Sequence, residues 1–187
     1  MSVKFHFLNV GSGDCTIIHF PERTTTDSNG NPRTKSERIM MVDIYHHDDH
    51  DEFANVIEYY KTHFTDQNGR TKPIFRFVCT HPHQDHICGL NELFEKSGIT
   101  IANFWDTENE FEPEEFDAFS SHADDWTTYS EKRVANDSPT VIRVKRESKP
   151  LQYWNNLEDR ITVLSPSDAL IKRAHYNAEE QKRKKMR

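Results

Sequence analysis

The sequence is short of cysteine, short of apolar residues, and without any basic excess. Its three cysteines, Cys15, Cys79 and Cys88, are odd in number and show no CxxC spacing, which argues against a disulfide framework. Buried free thiols in a reducing compartment are the expectation. Apolar residues make up 34% of the 187, a lean share that still suffices for one domain with a core. No run approaches the apolar length needed to cross a bilayer, and Met1-Ser2-Val3-Lys4-Phe5 lacks the apolar stretch of a signal peptide. A cytoplasmic protein, not a membrane protein, is expected. A net charge of −7 argues against indiscriminate binding to nucleic acid, although a cleft holding metal can still be locally positive.

Against these shortages stands one dense stretch, Thr80-His81-Pro82-His83-Gln84-Asp85-His86-Ile87-Cys88-Gly89-Leu90. Four candidate metal ligands fall within six residues, behind Ile74 to Cys79, whose aromatic and β-branched residues after Pro73 predict a buried strand. Pro82 donates no N–H and keeps His81 out of the helical region, so the segment stays extended through His83. Two imidazoles two residues apart then share one side and can chelate one ion. Asp85 and His86 follow at the start of a helix expected over Ile87 to Lys96, and this second pair can hold a neighbouring ion. Imidazole and carboxylate suit zinc first, with manganese or iron as alternatives, and an open coordination position would carry an activated water. A single histidine in a chain that has 11 is usually a surface or core residue. Three histidines and an aspartate between a strand and a helix are much harder to obtain by chance.

At these residues the chain resembles the metallo-β-lactamase-fold hydrolases, whose signature is H-x-H-x-D-H after a strand. The resemblance implies an α/β (α+β) fold of the αββα sandwich type, with His81 and His83 on a first metal and Asp85 and His86 on a second. It also implies a catalytic role for Asp85, which in many relatives accepts a hydrogen bond from the reacting water. The segment Leu8 to Ile18, with Gly11-Ser12-Gly13-Asp14, looks like the "DVGQGDA" opening of the ComEC-like branch, from which Asn9 and Ser12 depart. That branch is associated with nucleic acid, so the resemblance points to a phosphodiester substrate, a nucleic acid or a nucleotide. Asp14 and Asp43 are the site-orienting candidates. Asp43 could equally be a strand-end aspartate capping a turn, and where relatives have glycine after it this chain has Ile44.

In chain order, strands are expected over Lys4 to Val10, Cys15 to Phe20, Arg38 to Tyr45, Ile99 to Trp105, Thr140 to Lys145 and Ile161 to Leu164. Residues 21–37 are polar and form a mobile loop, a hairpin extension in this reading. His46-His47-Asp48-Asp49-His50-Asp51 has ligand chemistry but no strand or glycine to fix it, and is taken as a solvated loop leading into a helix from Glu52 to Phe64. Phe53, Val56, Ile57, Tyr60 and Phe64 give that helix its core stripe. Residues 108–133 are an acidic, aromatic insert expected to be helical, and a terminal helix runs from Asp168 to Met186, its basic end an ordinary complement to the helix dipole.

Relatives continue with an aspartate that bridges both metals and a last histidine, and neither motif follows here. The later histidines are His122 and His175, the candidates for additional ligands. The expectation is one domain over residues 1–187 carrying an incomplete sandwich, with a partner chain or a missing C-terminal half completing the site. A non-catalytic interaction module is the rival reading. An intact ligand cluster opposes it, because clustered polar groups are destabilising without a metal to satisfy them.

Overall fold

The apolar and β-branched segments in the first part of the chain become an antiparallel meander. Strand β1 (Lys4–Phe7) pairs with β2 (Thr16–Phe20), Phe5 opposite Ile18, and β2 pairs with β5 (Arg38–Val42), Ile17 opposite Met41. The computed structural model describes residues 2–46, 52–107, 121–146 and 161–185. Within 21–37, β3 (Arg23–Thr26) and β4 (Pro32–Lys35) form a separate two-stranded hairpin. Its turn is closed by Asp27, whose Oδ1 accepts from the backbone N–H of Asn29 and of Asn31, both at 2.9 Å.

Beyond β5 the sheet turns parallel. Strands β7 (Arg76–Val78), β8 (Asn103–Asp106) and β9 (Thr140–Arg143) add in that order, giving β1-β2-β5-β7-β8-β9. Parallel strands need crossovers, and helices supply them. The helix α1 (Val56–Phe64) precedes β7, and α3 (Ser121–Lys132) precedes β9. The core forms between one sheet face, with Ile17, Met41, Phe77 and Phe104, and the helical residues Val56, Tyr60, Leu93 and Tyr129. Phe77 and Phe104, adjacent in register, stack with ring centroids 5.8 Å apart. The opposite face carries a smaller cluster of Met40, Trp105, Ile142 and Val144. This is a mixed α/β fold around a mixed sheet, consistent with a metallo-β-lactamase-like architecture. No helix among the described residues is long and apolar enough to cross a membrane.

Several expected elements change. The strand from Arg38 breaks at Asp43, which adopts φ 56°, and resumes as a two-residue strand, β6 (Ile44–Tyr45). Helix α1 starts at Val56 rather than Glu52 because Asn55 caps it, its side chain accepting from Glu58 N–H at 2.8 Å. Phe53 therefore lies outside the helix. The helix expected over Ile87 to Lys96 is divided: α2 spans Gln84–Ile87, and a wide π turn spans Glu92–Lys96. Cys88 and Gly89 separate them, because β6 draws residues 87 and 88 into parallel bridges, Ile44 to Ile87 and Tyr45 to Cys88. Gly89 has φ 90°, and a Cβ there would lie 2.6 Å from the Cβ of His46. Residues Ile161 to Leu164 form no strand, and among the described residues the ladder ends at β9. Ile161 and Val163 still pack on the second cluster, which accounts for their alternation. Helix α4 (Asp168–Lys185) follows, and residues 47–51 and 108–120 lie outside the described residues.

Candidate metal centre

The break at Asp43 serves the site directly. A non-glycine residue at positive φ is tolerated best when it is Asn or Asp, and such strain persists only where surrounding contacts fix it. Here three bonds do so. Asp43 Oδ1 accepts from Thr80 N–H at 2.8 Å, and Oδ2 accepts from the Thr80 hydroxyl at 2.7 Å and pairs with His86 Nδ1 at 2.9 Å. Asp43, 3% exposed, thus ties the end of β5 to both ends of the histidine motif. Its carboxylate stands at a strand end and beside a histidine at once.

His86 is fixed by that contact. With Nδ1 committed to a carboxylate, Nε2 is the nitrogen left to face a metal. Nε2 lies 3.4 Å from Asp85 Oδ2 and 3.8 Å from Asp14 Oδ2. His81 stacks obliquely on His86, ring centroids 3.9 Å apart, and one ligand atom from each of His81, Asp85 and His86 falls within 4.8 Å of the others. His83 stands beside this group rather than in it, its ring centroid 4.6 Å from that of His81. The extended backbone at His83 (φ −77°, ψ 157°) makes it the residue that introduces α2, and it is exposed there.

The turn Gly11 to Asp14 does more than close a hairpin. Asp14 N–H donates to the Asp85 carbonyl at 3.0 Å, bringing the Asp14 carboxylate to the rim. The approach requires glycine at position 13, where a Cβ would come within 2.1 Å of the Tyr45 ring.

Electrostatics favour the ligating forms. Burial, followed by neighbouring His86 and His83, holds His81 below the usual histidine range, so it is neutral near pH 7. Burial pushes the Asp43 carboxyl up, while Thr80 and His86 pull it down. A cation on the far nitrogen of His86 would supply the opposing charge that this burial calls for. The neutral His81 imidazole, the oriented His86 ring and a half-exposed carboxylate (Asp85, 50% side-chain exposure) form a donor set that fits a transition-metal ion.

The two late histidines diverge. His122 stands not with His81 but at the first turn of α3, 2.6 Å from Gln84 Nε2, beside Cys88 and Asp125. His175 falls within α4, and its side chain lies outside the described residues. Four further residues contribute that the sequence did not assign to the site, and one of them, His46, is buried where a solvated loop was expected. Thr80 carries the contact between Asp43 and the motif. Asp125, buried on α3, accepts from Gly89 N–H at 3.0 Å and Asn91 N–H at 2.7 Å, capping the turn after the motif. His46, 4% exposed, packs against Gly89 and lies 3.3 Å from Glu92. Cys88 donates its S–H to the His46 carbonyl at 3.4 Å, and burial, then Asp125, raises its thiol to about 11. Thr80 opens the quoted motif, yet nothing in the pattern marks it, and nothing distinguishes Asp125 from Asp124.

No curated protein matches the chain. Residues 71–159, somewhat under half of the 187 and including the whole histidine motif together with β7, β8, α3 and β9, match the family model of the metallo-beta-lactamase superfamily.

Proposed function

We propose that this chain is a metal-dependent hydrolase acting on a phosphodiester, a nucleic acid or nucleotide of the kind associated with the ComEC-like branch. One observation carries the reading: His81, Asp85 and His86 converge within 4.8 Å while Asp43 holds His86 Nδ1 at 2.9 Å. Zinc is the first candidate for the ion, with manganese or iron next, and His83, beside His81, would join where a second ion binds. The metal would supply a Lewis acid and an activated water. The chain's own groups do the rest. Asp43 fixes the tautomer and direction of His86, Asp14 adds negative charge at the rim, and Asp85, the most exposed of the three converging ligands, would accept a hydrogen bond from the reacting water and orient it. A cytoplasmic location fits the three buried free thiols.

The test pairs elemental analysis with hydrolysis of a chromogenic phosphodiester. Wild type should carry metal and turn over; Asp85→Asn and His83→Ala should lose most turnover. Metal bound in the wild type without turnover on any phosphodiester would overturn the substrate assignment. A second reading has its own support: Phe5 and Phe7, 58% and 77% exposed, stack side by side on edge strand β1. An apolar pair on a sheet edge suits a partner chain that completes the site, making this chain a metal-binding subunit. Sedimentation of the wild type and of Phe7→Ser would distinguish the two readings.

A further inference from the structure

The motif helix has a second side. Gln84 and Cys88, four residues apart and joined by the Cys88 N–H to Gln84 carbonyl bond, point one way, while Asp85 and His86 between them face the centre already described. Opposite Gln84 and Cys88, α3 presents His122 and Asp125, three residues apart on one face. The four residues line one small gap together with Ile87. Within it a sulfur of Cys88, a ring nitrogen of His122 and a carboxylate oxygen of Asp125 lie mutually within 4.8 Å.

We propose that Cys88, His122 and Asp125, with the Gln84 amide oxygen as fourth donor, form a second metal site that pins α3 to the motif helix. Thiolate, imidazole and two oxygens make a tetrahedral set whose sulfur selects zinc over harder ions. Two of the donors are already fixed. Asp125 is held by two backbone N–H groups, each of its oxygens keeping a lone pair, and Cys88 is anchored at the end of α2. Metal–ligand bonds of about 2.0–2.3 Å require the donors to close by about 1 Å. His122, half-buried at the start of α3, is the group able to move. The Gln84 amide already meets the imidazole through its Nε2, 2.6 Å from His122 Nε2, and a half-turn of the amide presents its oxygen there instead. On binding, the thiol proton leaves to solvent and the sulfur gives up its bond to the His46 carbonyl. With four protein donors the site is closed and structural; its effect on chemistry runs through α2, which carries Asp85 and His86.

Cobalt(II) separates this site from the first, which has nitrogen and oxygen donors alone. Titrating the metal-free protein with cobalt should produce a thiolate-to-cobalt charge-transfer band in the near ultraviolet. The band should persist in a His81→Ala/His83→Ala variant and in Cys79→Ala, vanish in Cys88→Ala, and weaken at least tenfold in apparent affinity in His122→Gln. Because the wild-type spectrum decides alone, a misfolded variant leaves the test intact. Absence of the band at saturating cobalt in the wild type, or its survival in a folded Cys88→Ala protein, overturns the proposal. The band and phosphodiester turnover can fail separately.

Discussion

Replacing Asp43 by Asn isolates the charge and acceptor character of one oxygen. Asn tolerates the positive φ of 56° about as well as Asp, so backbone strain is unchanged. Oδ1 keeps its bond from Thr80 N–H, but an NH2 group replaces Oδ2, which now serves both the Thr80 hydroxyl and His86 Nδ1. The hydroxyl can rotate to accept. His86 cannot, unless its proton moves to Nε2, the atom 3.4 Å from Asp85 that would ligate metal. Either outcome harms the site: an unsatisfied buried donor costs about 1–3 kcal/mol, and loss of the orienting carboxylate typically lowers metal affinity about 10–100-fold. That fold-change equals about 1.4–2.7 kcal/mol. Competition with a chromogenic zinc chelator measures affinity, and urea melts of the metal-free proteins measure stability. Asp43→Gly, which relieves the strain but loses all three bonds, should fall at least as far in affinity. Wild-type zinc affinity in Asp43→Asn would refute the assignment of Asp43 as the group orienting His86.

Other perturbations follow from the same contacts. Asp106, fully buried at the end of β8, accepts from the Tyr129 hydroxyl at 2.8 Å and lies 2.9 Å from Arg133, so Arg133→Ala should cost about 3–5 kcal/mol in urea melts by stranding a buried charge; a loss below 1 kcal/mol would show that the carboxyl is neutral. Gly13→Ala must displace the Tyr45 ring, moving Asp14 off Asp85; a lower melting temperature and weaker metal binding are expected, and a protein unchanged in both would contradict the close approach. Burial, then His19, His63 and Lys4, holds His6 below its ordinary 6.5. The unfolded chain then binds more protons below pH 6.5, so stability present above that pH is lost as pH falls toward the folded pKa. His6→Phe should flatten this loss in denaturant midpoints between pH 7.5 and 5.5; an unaltered slope would remove His6 as its source.

What could be read directly from the sequence was local and chemical. Runs of apolar and β-branched residues located β2 and β5, and the spacing of Val56, Ile57, Tyr60 and Phe64 located the buried face of α1, because both patterns are dictated by which side chains can leave water together, whereas the alternation that located β1 rests on Phe5 and Phe7, which stay exposed. Pro82 and the ligand types of His81, Asp85 and His86 marked the centre for the same reason: donor chemistry is carried by residue identity. Breaks caused by distant partners were not legible. Asp43 leaves the strand because Thr80 and His86 hold its carboxylate, and the motif helix divides at Gly89 because β6 bridges residues 87 and 88 while His46 crowds the turn. The opposition of Cys88 to Asp125, and the standing of His122 there rather than beside His81, depend on how α3 packs across α2. Sequence determined which groups could bind a metal. Only tertiary packing, through contacts between residues 34 to 43 positions apart, decided which of them meet.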